Sequence, residues 1–221
     1  MEKEERVLGY YVLCNKLKDL IRKGWINWNV DKERVESVAE HIYSTQQLAI
    51  IMQKTYYYNI DLEKVIMMLA VHELEETIIG DLTQFEISKE EKNKIGHEAV
   101  EKITNLFGLN EPVQNLILEF DERKTDEAKF AYMCDKLECD LQCKLYDEEN
   151  RVDLTREDNK ALDNERVSKL LNEGKSWSEM WLEYGRDHYT YDKNFRSISE
   201  YAEKNNLHNL TKKLSKINKS K

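Results

Sequence analysis

Proline is almost absent from this chain and glycine is scarce: one and seven residues among 221. So few turn formers exclude a β architecture built on frequent tight turns and favour long helices. Long apolar runs are missing as well. No stretch approaches the ~20 residues of a membrane span, and the opening MEKEERVLGYYVL is acidic, unlike a signal peptide. Cysteine is limited to Cys14, Cys134, Cys139 and Cys143. Three of these fall within one expected helix, badly placed for disulfides, which reads as reduced thiols in a cytoplasmic protein. Cys139 and Cys143 sit one turn apart, but no second pair completes a metal site. A positive balance is lacking too, with a net charge of −9 and a pI near 5.3. Nucleic acid and anionic membranes are therefore poor partners. A phosphate substrate would have to be met by a local positive site.

What is present is a soluble, helix-rich composition, 40% apolar and 35% charged, long enough for a sizeable core. Helical spacing predicts a helix over residues 5–22, then a loop, WINWNVDKERVE. Ser37 with Glu40 forms a capping box that opens a helix to about Lys54. Asp61 caps a helix that Gly80 ends. Ser88 with Glu91 opens another to about Leu106, and residues 111–123 form a short one after Pro112. Thr125 caps a long helix through about Tyr146. Helices near 155–173, from Ser176, and near 193–204 follow, with a basic tail that frays.

Three short stretches carry the chemistry: EHIYST around His41, VHELEETIIGD at 71–81, and MCDKL around Asp135. Two imidazoles and two carboxylates suit one divalent metal that stays open to water and substrate. On the helix from Asp61, the apolar face of Leu62, Val65, Ile66 and Leu69 runs into His72, Glu73 and Glu76. Either a cation resolves the cost of burying them, or the helix end reaches solvent. Spacing alone also leaves Asp135, Asp140 and Asp147 as alternatives on the long helix. His97 lies in a charged helix, KNKIGHEAVEK, where a surface role fits. Trp177, Trp181 and Tyr184 recur at helical spacing, which is the mark of packing.

The order H…HD…D in a helical chain resembles the HD-domain metal-dependent phosphohydrolases, and within them the 5′-deoxynucleotidase-like branch. The resemblance rests on RKGW (22–25), ERVESVAEH (33–41), HELEETIIGDL (72–82) and TDEAKFAYMCDKLE (125–138), and spans roughly residues 15–147. It implies an all-α HD-domain bundle over residues 1–150, with residues 151–221 a helical C-terminal extension. It implies His41, His72 and Asp135 as metal ligands. The family's fourth ligand is an aspartate; here it is Glu73, with the same headgroup on a longer arm. The zinc-protease pattern H-E-x-x-H is absent, because Glu76 stands four residues after His72.

The resemblance further implies Glu76 as the residue handling protons, Asp81 at the substrate end, and Arg22 gripping the substrate phosphate. The proline that commonly follows the family's aspartate is replaced by GDLTQF. The expected cofactor is one divalent ion: manganese, cobalt, magnesium, zinc or iron. The expected partner is a small phosphate ester, a nucleoside 5′-monophosphate first, with no nucleic acid and no membrane, in a homodimer. Lys23 and Arg34 add positive potential or sit in a solvated loop; Trp25 and Trp28 stack on a base or pack the loop. The alternatives to a phosphomonoesterase are a non-catalytic nucleotide- or metal-binding HD protein and a nucleoside triphosphate hydrolase.

Overall fold

The structure is a computed structural model that describes residues 1–83, 86–155 and 160–212. Most of the basic tail expected to fray, residues 213–221, lies outside the described residues. Among those described, the chain is helical throughout, with two isolated β-bridges and no strand. The helices are α1 (Lys3–Asn15), α2 (Lys23–Asn27), α3 (Val38–Tyr56), α4 (Leu62–Val71), α5 (Glu76–Ile79), α6 (Lys89–Phe107), α7 (Asn115–Glu122), α8 (Asp126–Glu148), α9 (Glu165–Asn172), α10 (Trp177–Gly185) and α11 (Lys193–Lys204). The all-α fold read from the sequence is what the chain adopts.

Several ends follow the capping signals. Ser37 and Glu40 make the reciprocal box of α3, and Ser176 and Glu179 that of α10. Asp61 accepts the Lys64 N–H at 3.0 Å and Ser88 the Glu91 N–H at 3.2 Å. Other expectations need correction. The helix expected over 5–22 ends at Asn15 and tightens into a 3₁₀ turn, Lys16–Lys18. The expected loop after Gly24 instead holds α2 and a 3₁₀ turn, Lys32–Arg34. The helix expected near 155–173 shortens to a 3₁₀ turn, Lys160–Asp163, followed by α9.

The chain forms two compact units, Met1–Asn27 with Lys32–Asp135 and Trp28–Asp31 with Lys136–Lys221. In the first, α4 sends Val65, Met68 and Leu69 fully inward. Each such side chain stabilises the fold by about 1.5–3 kcal/mol. Val71, Leu74, Val100, Ile103, Phe107, Val113 and Ile117 form a further apolar cluster. In the second unit Trp28 packs on Trp177 and Trp181, with ring centroids 5.9 and 5.7 Å apart. The side chain of Asp140 is buried there and accepts a hydrogen bond from the Tyr189 hydroxyl. Gly185 is required beside it, since a Cβ at that position would collide with the Asp140 carboxyl group.

Candidate metal centre and active site

Two backbone devices bring the site together. An antiparallel bridge joins Ile21 to Ser37. In it the Arg22 N–H donates to Glu36 O at 3.1 Å and the Val38 N–H to Leu20 O at 2.8 Å. Arg22 is thus strapped to the N-cap of α3, one turn before His41. The second device is a break in the helix expected over residues 61–79. α4 stops at Val71; i→i+3 bonds from Leu74 to Val71 and from Glu76 to Glu73 carry the chain into α5. The reason for the break is geometric. Consecutive side chains on an α-helix point about 100° apart; unwinding lets neighbours His72 and Glu73 converge. Gly80, at φ 74°, then takes the chain into a left-handed conformation that leads to Asp81.

The structure brings His41, His72, Glu73 and Asp135 together, with one donor atom from each lying within 4.8 Å of the others. His41 Nε2 is 3.2 Å from Asp135 Oδ1 and 4.0 Å from Glu73 Oε1. His72 Nε2 is 3.8 Å from Glu73 Oε1 and 4.0 Å from Asp135 Oδ1. His41 is fully buried, and Asp135 and His72 nearly so.

The orientation of His72 is fixed by its other nitrogen, Nδ1, 2.8 Å from the Leu69 carbonyl. That contact makes Nδ1–H the donor and leaves Nε2 as a lone pair facing the cluster. Nε2 is buried and has no hydrogen-bond partner. Burial lowers the His72 pKa and keeps the ring neutral. Burial also opposes a charge on Glu73, but the Arg22 and Lys92 cations nearby lower the pKa of that carboxyl. With His72 neutral, the two cationic side chains carry this effect, and Glu73 is ionised. An orphaned buried imidazole nitrogen beside carboxylate oxygens is costly unless something binds them. A divalent cation fits the two-nitrogen, two-oxygen donor set, with Glu73's longer arm already reaching the others.

Around this centre, Arg22 Nη1 lies 3.5 Å from Glu73 Oε1, and its Nε lies 3.7 Å from Glu36 Oε1. Glu76 is buried; one oxygen meets Lys92 Nζ at 3.3 Å and the other has no hydrogen-bond partner. Burial first, then Glu73 and Asp81, pushes the Glu76 pKa well up. Asp81 accepts the Lys23 backbone N–H at 2.7 Å.

Sequence spacing misses two of these residues. Lys92 sits in the polar run KEEKNK, where nothing marks it as turned inward. Glu36 is buried and also accepts the Trp25 Nε1–H at 2.7 Å; its place beside a cap gives no signal of burial. Other candidates fall outside the site. The side chain of Lys23 pairs with Glu86, that of Arg34 with Glu40, and His97 with Asp121 at 2.6 Å. Trp25 and Trp28 are both buried, so the loop tryptophans pack rather than present a face to a base.

Residues 14–175 match the family model described as HD domain. The chain is 34% identical over 160 residues to a 5′-deoxynucleotidase of Dictyostelium discoideum, covering 66% of this chain and 83% of that one. It is 34% identical over 148 residues to a 5′-deoxynucleotidase of Schizosaccharomyces pombe, covering 64% and 72%. A solved structure from Magnetospirillum magnetotacticum, described as a predicted metal-dependent phosphohydrolase, superposes with a TM-score of 0.60 over 90% of both chains. At 18% identity that likeness is one of fold. With the family model covering most of its length and His41, His72, Glu73 and Asp135 gathered at one point, this chain belongs to the HD-domain family.

Proposed function

We propose that this chain is a metal-dependent phosphohydrolase that releases phosphate from nucleoside 5′-monophosphates. The observation that carries the reading is the gathered donor set, with the buried His72 Nε2 left without a hydrogen-bond partner. The relatives named as 5′-deoxynucleotidases support the substrate class. His41, His72, Glu73 and Asp135 are the residues that would hold the ion, with manganese, cobalt, magnesium, zinc and iron all compatible with such donors. When bound, such an ion polarises a phosphoryl oxygen and makes water more acidic.

The chain's own residues do the rest. Arg22 exchanges its contact with Glu73 for two parallel hydrogen bonds to the phosphate, a geometry lysine lacks. Glu76 takes a proton from the attacking water and returns it to the leaving sugar oxygen. Burial raises its proton affinity, which strengthens it as a proton acceptor. Lys92 keeps Glu76 turned inward and offsets the negative charge gathered by Glu73, Glu76 and Asp81. Asp81, anchored by the Lys23 amide, orients the sugar end.

The hydrolase domain is read as residues 1–150, with residues 151–221 as its helical extension, in a cytoplasmic homodimer. Among the described residues no helix is long and apolar enough to cross a membrane. The test is phosphate release from ribo- and deoxynucleoside monophosphates by metal-stripped protein resupplied with one metal at a time. Metal-dependent release that is lost in His72→Ala supports the reading. No release with any metal, from protein that is folded, overturns it.

A further inference from the structure

The helix α1 has two unlike faces. On one, Tyr10, Leu13 and Cys14 pack against the cluster containing Val100, Ile103 and Phe107, with the Tyr10 ring edge-on to Phe107 at 5.5 Å. Arg6 turns to the same side, its guanidinium beside Gly108. On the other face Leu8, Tyr11 and Val12 are 63%, 60% and 60% exposed. The apolar surface continues onto neighbouring elements through Ile78 and Leu106, and a cavity of about 280 Å³ opens between α1, Ile78 and Leu106. A contiguous patch of this kind on a strongly charged chain marks an interaction surface.

The charges flanking the patch say which partner fits. At 100° per residue, Glu4 and Glu5 lie on the outward side with Leu8 and Val12, and they precede the patch. Lys16 and Lys18 follow it, in the 3₁₀ turn that continues α1. All four are exposed, and none pairs with another described residue. The apolar centre is thus bracketed by acid at one end and base at the other. The midpoint of Glu5 and Lys16 falls between Tyr10 and Tyr11. Such a pattern is complementary to itself when reversed.

We propose that this face of α1 is the homodimer interface, two copies meeting across a two-fold axis with their α1 helices antiparallel. In that arrangement Glu5 of each copy faces Lys16 of the other, and Leu8, Tyr11 and Val12 close over the same residues of the second copy, as an isologous contact requires. Parallel helices would set Glu5 against Glu5. An anionic membrane is disfavoured by the net charge of −9 and by Glu4 and Glu5 on the patch itself. The inference rests on the homodimer reading above and is independent of the catalytic one.

The test is sedimentation equilibrium on the full chain up to ~100 µM, a range that captures micromolar association, with circular dichroism as the check on folding. Glu5→Lys and Lys16→Glu each convert two attractive pairs into two repulsive ones. Each is expected to raise the dimer dissociation constant about tenfold at low salt, while the double variant, which restores opposite charges, returns close to the original value. The exposed sites leave folding intact. A chain that stays monomeric throughout the range overturns the proposal and leaves this face to a different protein. A dimer indifferent to both charge reversals overturns it too, because its interface then lies elsewhere. Phosphate release measured on the same samples reports on the catalytic reading separately.

Discussion

Arg22 Nη1 lies 3.5 Å from Glu73 Oε1. The guanidinium assigned to the phosphate is thereby partnered with the one candidate ligand that departs from the family pattern. Glu73 is the longer of the two possible acids, and its length is what lets one oxygen reach Arg22, His41 and His72 at once.

Glu73→Asp withdraws that oxygen from the other donors. Metal affinity, measured by titration with manganese or cobalt into the metal-free protein, is expected to fall about tenfold, which corresponds to ~1.4 kcal/mol. Tighter binding in the aspartate variant would mean that the usual family arm length fits this site better than the native one.

Arg22→Lys keeps the charge and loses the paired hydrogen bonds. The Michaelis constant for a nucleoside monophosphate is expected to rise roughly tenfold or more, with metal content unchanged. Arg22→Ala is expected to cost more and also to lower thermal stability, because Glu36 and Glu73 lose the cation they share. Unchanged kinetics in either variant would remove Arg22 from the substrate.

Glu76→Gln preserves shape and removes the proton acceptor. The turnover number is expected to drop by about 10²–10³, the range of a lost general base, with little change in metal content. Equal loss of metal and turnover would make Glu76 a residue that holds the centre together.

Burial pushes Asp140 up to about 8, against the Tyr189 hydrogen bond and the nearby Lys136, Trp181 and Arg186. Its folded pKa lies above the unfolded value of 3.8, so its stabilising contribution is fully present below about pH 4. It is lost as pH rises through 8. A tenfold difference in proton affinity between folded and unfolded chain corresponds to roughly 1.4 kcal/mol. Urea unfolding between pH 5 and 9 is therefore expected to show a fall of about a few kcal/mol. Asp140→Asn should flatten that profile. An unchanged profile in the variant would place the titrating group elsewhere.

Much of the site is legible in the sequence because three motif residues come with their elements. Ser37 and Glu40 fix where α3 begins and so aim His41 inward. Thr125, accepting the Ala128 N–H at 3.2 Å, opens the helix that carries Asp135. The apolar stripe of Val65 and Leu69 leads to His72, as its spacing predicts. The break after Val71 is invisible, because His72, Glu73 and Glu76 keep the same helical spacing and no proline or glycine marks the turn. Lys92 and Glu36 are hidden for another reason. Their burial is set by charges distant in sequence, and nothing local distinguishes an inward lysine from a solvated one.

The strap between Ile21 and Ser37 makes the position of the Arg22 backbone a property of the helix that carries His41. The two contacts at its heart are backbone hydrogen bonds of Arg22 and Val38, so local opening there releases both groups in one event. Amide hydrogen exchange at the two positions should therefore keep the same pace. The stability of a single helix end then governs how long the Arg22 backbone and the first turn of the His41 helix stay side by side.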